Sequence, residues 1–115
     1  MGEIMFFKTI RIKYTPDQER QESAIIGIMV QNLQNGYLRW AETCDKPKLS
    51  EGYPRNSIKM LEDVFGSQQT EIKILENKWP DVEILKHTGI SFMEGSVIEA
   101  QDSRVALKKL YEEFL

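Results

Sequence analysis

The chain has 115 residues, of which 41% are apolar and 29% charged. This is the balance of one ordinary globular domain, not of a disordered tail or a fibrous repeat. A net charge of −3, from 15 basic and 18 acidic residues, argues against a dedicated duplex-DNA binder, and no apolar run approaches the ~20 residues of a membrane-spanning helix.

Residues 5–14, MFFKTIRIKY, alternate in polarity. Phe6, Ile10, Ile12 and Tyr14 fall on one side, with Lys8 as the exception, and Phe7, Thr9, Arg11 and Lys13 on the other. That period of two predicts a half-buried antiparallel strand. Thr15-Pro16-Asp17 should end it, since proline donates nothing to a ladder. Residues 24–33, AIIGIMVQNL, are nearly all apolar and predict a central strand covered on both faces. Gly27 within it marks a bulge or a close approach to the backbone. Asn35-Gly36 is a hairpin signal because both residues tolerate positive φ, and 37–42, YLRWAE, is the returning strand. Residues 1–42 thus read as a β-meander.

Residues 43–56 carry two prolines, a glycine and mixed charges, and read as a loop. From Ser57 the spacing becomes helical, with Ile58, Leu61 and Phe65 on one face and Gly66 as the residue after the helix end. Ile72, Leu75 and Trp79 extend the helical reading across 68–79, although TEIKIL at 70–75 also alternates. Residues 82–86 and 89–100 read as extended, with Gly95 as a bulge or turn. Asp102 or Ser103 then caps a C-terminal helix over 102–115, whose apolar stripe is Leu107, Leu110, Tyr111 and Phe114. The order predicts a single α+β domain: an antiparallel sheet with two to three helices packed on one face.

Chemistry-bearing residues are sparse. Cys44 and His87 are the sole thiol and the sole imidazole. Neither has the local context that activates a thiol, and two such ligands do not make a structural zinc site. A lone cysteine fits a reducing compartment, and the N-terminal residues lack the pattern of a secretory signal, so a cytoplasmic location is expected. No glycine-rich phosphate loop is present. We therefore expect no catalytic residue, no cofactor and no metal.

Two surface groups remain. Lys8, Arg11, Lys13 and Arg39 could form a cationic patch on the sheet, with Phe7 or Tyr37 to stack bases, which would suit a nucleotide or nucleic acid. The other is the link between the first two strands, where Tyr14, Asp17, Arg20 and Glu22 crowd together. Opposite charges so close should pair, fix the turn and hold strand register, each exposed pair contributing ~0.5 kcal/mol.

The stretch RIKYTPDQERQESAIIGIMV, with Arg11, Tyr14, Pro16, Asp17, Arg20, Glu22 and Gly27, resembles the opening of the bacterial family known as domain of unknown function 3037. The closing segment VIEAQDSRVALKKLYEEFL, with its Asp-capped helix and Leu107, Leu110 and Tyr111, looks like that family's end. The family usually has Asn two residues before the glycine, where this chain has Ile25; any polar site built on that Asn is missing here. The resemblance implies a small intracellular bacterial or phage domain with no established activity. It also implies a genomic setting beside HipA-like kinases, and hence a toxin–antitoxin or phage-defence context. The expected function is non-enzymatic binding of another protein, such as a HipA-like kinase. The alternative is a nucleotide- or nucleic-acid-binding module on the cationic sheet face. The sequence leaves the oligomeric state open.

Overall fold

Strand register explains most of the architecture. In the computed structural model, which describes residues 4–17, 22–43, 54–73 and 89–113, β1 (Met5–Asp17), β2 (Glu22–Asn32) and β3 (Tyr37–Glu42) form an antiparallel meander. Helix α1 (Arg55–Phe65) follows, then a short β4 (Ile72–Lys73), a long β5 (Ile90–Ala100) and helix α2 (Ser103–Glu112). The five strands lie in the order β4-β3-β2-β1-β5 and every pairing is antiparallel. The class is α+β, as expected.

Residues directly opposed on antiparallel strands share a sheet face. Ile10 pairs with Met29 and Met29 with Trp40, which puts these three on one face. That face, with Ile12, Ile26, Leu38 and Ile90, packs against Ile58, Leu61 and Phe65 of α1. Val30 pairs with both Thr9 and Arg39, and Ile28 with both Arg11 and Ala41, on the other face. There Phe7, Ile28, Val30 and Ala41 pack against Ala106, Leu107 and Leu110 of α2. Among the described residues the helices are thus divided between the faces, α1 on one and α2 on the other. The amphipathic pattern of β1 concealed this, because its second face was read as wet. Phe7 is fully buried and Thr9 nearly so, while Phe6 is 44% exposed. Burial of Phe7 removes it as a base-stacking residue.

β1 does not stop at Tyr14 but runs through Pro16 to Asp17, with a register irregularity between Tyr14 and Asp17. The missing proline donor is accommodated where the ladder is already broken. The bulge expected near Gly27 is present: the pairing jumps from Ile12–Gly27 to Lys13–Ile25, leaving Ile26 over. The Ile12 side chain also packs onto Gly27, where a Cβ would sit 3.1 Å from Ile12 Cδ1. In the hairpin only Gly36 takes positive φ (78°), and its N–H donates to the Asn32 carbonyl. The buried Asn32 organises the turn, accepting from the backbone N–H groups of Gln34 and Asn35 at 2.8 and 3.3 Å. Gly95 lies at the β1–β5 register shift, where the Thr9 hydroxyl donates to the Ser96 carbonyl at 2.6 Å. Asp102 caps α2 by accepting from Val105 N–H at 2.8 Å.

The helix expected from residue 68 does not form over the described residues 68–73. Trp40 and Leu38 account for this. The indole Nε1 of Trp40 donates to the Gly66 carbonyl at 3.0 Å, and the Trp40 carbonyl accepts from Gln69 N–H at 2.7 Å. The Glu42 N–H donates to Gln68 Oε1 at 2.8 Å, and Leu38 pairs with Ile72. Segment 66–73 therefore serves as the edge partner of β3, satisfying donors and acceptors that a helix would have left unmet. The expectations for Cys44, Trp79, the strand at 82–86, His87 and Phe114, and most of the 43–56 loop, fall outside the described residues; within that range, residues 55 and 56 already belong to α1.

Candidate binding cleft

On the α2 face, β3, the 66–71 segment and α2 enclose a cleft of about 560 Å³. Its construction starts at Arg39. The Val30–Arg39 pairing sends this side chain to the α2 face, into a place apolar packing leaves unfilled. There its Nε donates to the Ser103 hydroxyl at 2.8 Å and a terminal nitrogen donates to the Gln69 carbonyl. Ser103, only 2% exposed, in turn donates to the Glu71 carboxylate, which also lies 3.9 Å from the guanidinium. Three elements distant in sequence are thereby tied through one hydroxyl. Gln69 holds φ = 60°, the only positive φ among described non-glycine residues. This left-handed conformation costs on the order of 1 kcal/mol in an L-residue, and it lets Gln69 both donate to Trp40 and present its carbonyl to Arg39.

The cleft wall on α2 is made by Arg104, Val105, Leu107, Lys108 and Tyr111. Positions 104 and 108 lie one helical turn apart and so share a side of α2. Ala41 and Leu107 supply a buried apolar surface. Glu42 and Gln68 form the opposing rim, with the Gln68 amide held 3.3 Å from Glu62 Oε1.

Of the residues expected to form a cationic patch, Arg11, Lys13 and Arg39 share the α2 side of the sheet and Lys8 does not. Lys8 pairs with Gln31 and Val97 on the α1 side of the sheet and forms an ion pair with Glu94 at 2.6 Å. Arg11 and Lys13 belong to the α2 side, where Arg11 lies 3.8 Å from Glu113. Arg39 is on that side too but is separated from Arg11 by β2, roughly 10 Å at normal strand spacing. Tyr37, the remaining stacking residue, has the Lys73 ammonium 5.7 Å from its ring centroid. Of the charged link, Tyr14 packs beside the α1-side core, and Asp17 and Glu22 are paired residues closing the β1–β2 ladder. Arg20 lies outside the described residues.

The sequence alone points to none of Arg104, Lys108 and Gln69 as cleft residues and offers Ser103 only as a possible cap. One signal was present: Arg104 and Lys108 recur at i, i+4 on a helix whose remaining stripe is apolar. Ser103 carried none beyond a capping role that Asp102 takes. Among the described residues no three His, Cys, Asp or Glu side chains converge on a point that would suit a metal ion, and no helix is long and apolar enough to cross a membrane. No family model, no curated protein and no solved structure matches this chain.

Proposed function

We propose that this domain is a non-enzymatic interaction module that binds another protein through the α2 cleft. The observation that carries this reading is the cleft itself: an opening of about 560 Å³ with apolar surface from Ala41, Val105 and Leu107 beside cationic and amide groups. Such a mixture suits an anchoring side chain with polar neighbours. The Ser103 hydroxyl, which bonds the lining residue Arg39, is buried and committed to Arg39 and Glu71, a position suited to tying elements together. The resemblance to domain of unknown function 3037 makes a HipA-like kinase, or another toxin–antitoxin or phage-defence component in the cytoplasm, the first partner to seek. A nucleic-acid platform on the sheet is disfavoured because Lys8 faces away from Arg11, Lys13 and Arg39.

The test is affinity capture of the tagged full chain from its native host, in parallel with a Val105→Trp variant that fills the cleft. Circular dichroism and melting curves first establish that the variant folds. A protein enriched by the parent and lost with Val105→Trp supports the proposal. Capture indifferent to the tryptophan, or cleft-dependent recovery of nucleic acid or nucleotide alone, contradicts it.

A further inference from the structure

We propose that the cleft recognises a short acidic segment of its partner, with one apolar or aromatic side chain anchored between carboxylates. This inference rests on the interaction reading above and adds the chemistry of the ligand. The chain as a whole is acidic, at −3, yet its cleft is lined by Arg39, Arg104 and Lys108 against the single carboxylate of Glu42. A local reversal of sign in a net acidic domain selects an acidic ligand by charge complementarity.

The cations differ in mobility. Arg39 is clamped by the Ser103 hydroxyl and the Gln69 carbonyl, and only 13% of its side chain is exposed. Its charge is shared with Glu71, 3.9 Å away, so Arg39 fixes the back of the cleft and loses little freedom when a ligand arrives, while the cations open to a ligand are those on α2. Arg104 and Lys108 are exposed and have no ion-pair partner among the described residues, so they can close over carboxylates from the helix side. Ala41, Val105 and Leu107 line the same cleft and supply apolar surface suited to one anchoring side chain.

The surroundings decide between an acidic peptide and a polyphosphate. Glu62 is bonded to Gln68 and Glu71 to Ser103 at the edge of the cleft, and Glu112 and Glu113 follow Tyr111 directly. A long polyanion leaving the cleft would meet these carboxylates. The start of α2 is likewise closed to a phosphate, because the Asp102 carboxylate already occupies Val105 N–H and like charge there repels an incoming anion. A short segment whose acids are confined to the cleft avoids both.

The experiment is fluorescence anisotropy with the full chain and a labelled peptide in which glutamates flank one phenylalanine. The same peptide with glutamines, ATP and oligo(dT) serve as comparators. We expect saturable binding that weakens with salt, falls about tenfold or more in an Arg104→Gln/Lys108→Gln variant, and is at least about tenfold weaker for the glutamine peptide. Failure of the glutamate peptide to saturate, equal binding of both peptides, or tighter binding of ATP or oligo(dT) overturns the inference. The two proposals separate in the capture experiment. A partner lost with Val105→Trp but kept by the double glutamine variant leaves the interaction reading standing and removes the acidic specificity. Capture indifferent to both variants removes the interaction reading itself.

Discussion

Ser103→Ala is the substitution that probes the construction of the cleft most cleanly. The hydroxyl accepts from Arg39 Nε at 2.8 Å and donates to the Glu71 carboxylate, and the residue is 2% exposed. Its loss deletes two hydrogen bonds to charged groups, each worth about 1.5–3 kcal/mol when both partners are buried. The structure discounts that sum. Glu71 has 40% of its side chain exposed and can regain water, so its bond should contribute little to the loss. Arg39 keeps the Gln69 carbonyl but is left with an unpaired Nε–H in a largely enclosed place. The net cost should be about 2 kcal/mol, near the middle of the range for one charge-assisted bond. No helix term opposes this estimate strongly, because Asp102 and not Ser103 supplies the cap, and alanine is a better helix former than serine by only a few tenths of a kcal/mol. Urea melts of parent and variant, followed by far-UV circular dichroism, give the number. The midpoint should fall with an unchanged slope, and the melting temperature should drop by roughly 8 °C, at about 4 °C per kcal/mol for a chain of this size. A loss below about 0.5 kcal/mol, the ordinary effect of a surface change, would refute the idea that this hydroxyl ties β3, the 66–71 segment and α2 together.

Further outcomes follow from the same geometry. Gln69→Gly should raise stability by about 0.5–1 kcal/mol in the same melts, since it relieves a left-handed side-chain residue while keeping both backbone hydrogen bonds. Asp102→Ala should cost about 1 kcal/mol through loss of the α2 cap, with asparagine restoring most of it. Gly89→Ala should cost more than either, at least about 2 kcal/mol, because φ is 82° and an added Cβ would run into the Thr15 carbonyl. In a Trp79→Phe background, emission should come from the fully buried Trp40 and shift to the red on unfolding; native emission already at the water-exposed limit would reject that placement. The Asp17–Arg20–Glu22 clasp stands as a proposal from sequence: Arg20→Lys should lower the urea midpoint despite keeping its charge, because lysine cannot fork onto a carboxylate.

What the sequence conveyed well were features decided within a few residues. The returning strand at 37–42 coincides with β3, Gly66 closes α1 with φ = 80° and a hydrogen bond back to the Glu62 carbonyl, and Asp102 caps α2. Gly27 and Gly95 both mark breaks in register. What it concealed depended on partners far along the chain. The polar side of β1 looked wet because Thr9, Arg11 and Lys13 outnumber Phe7, yet α2 returns from the far end of the chain to cover Phe7 and Thr9. Segment 68–73 had two readings, and the need of β3 for an edge partner decided between them. The cleft was the least legible part. It depends on Arg39 meeting Ser103, 64 positions later, and no local pattern encodes that meeting.

The binding surface proposed here is the α2 face and not the sheet surface at β1 and β5. Backbone amide chemical-shift mapping of the isotopically labelled chain, titrated with the glutamate–phenylalanine peptide, tests it most directly. Binding at the α2 face should give saturating shifts confined to residues around Arg39, Glu42, Gln68 and Arg104–Tyr111. It would be contradicted by shifts centred instead on the exposed apolar residues Ile4, Phe6, Leu33 and Val97, or by no saturating shifts at all.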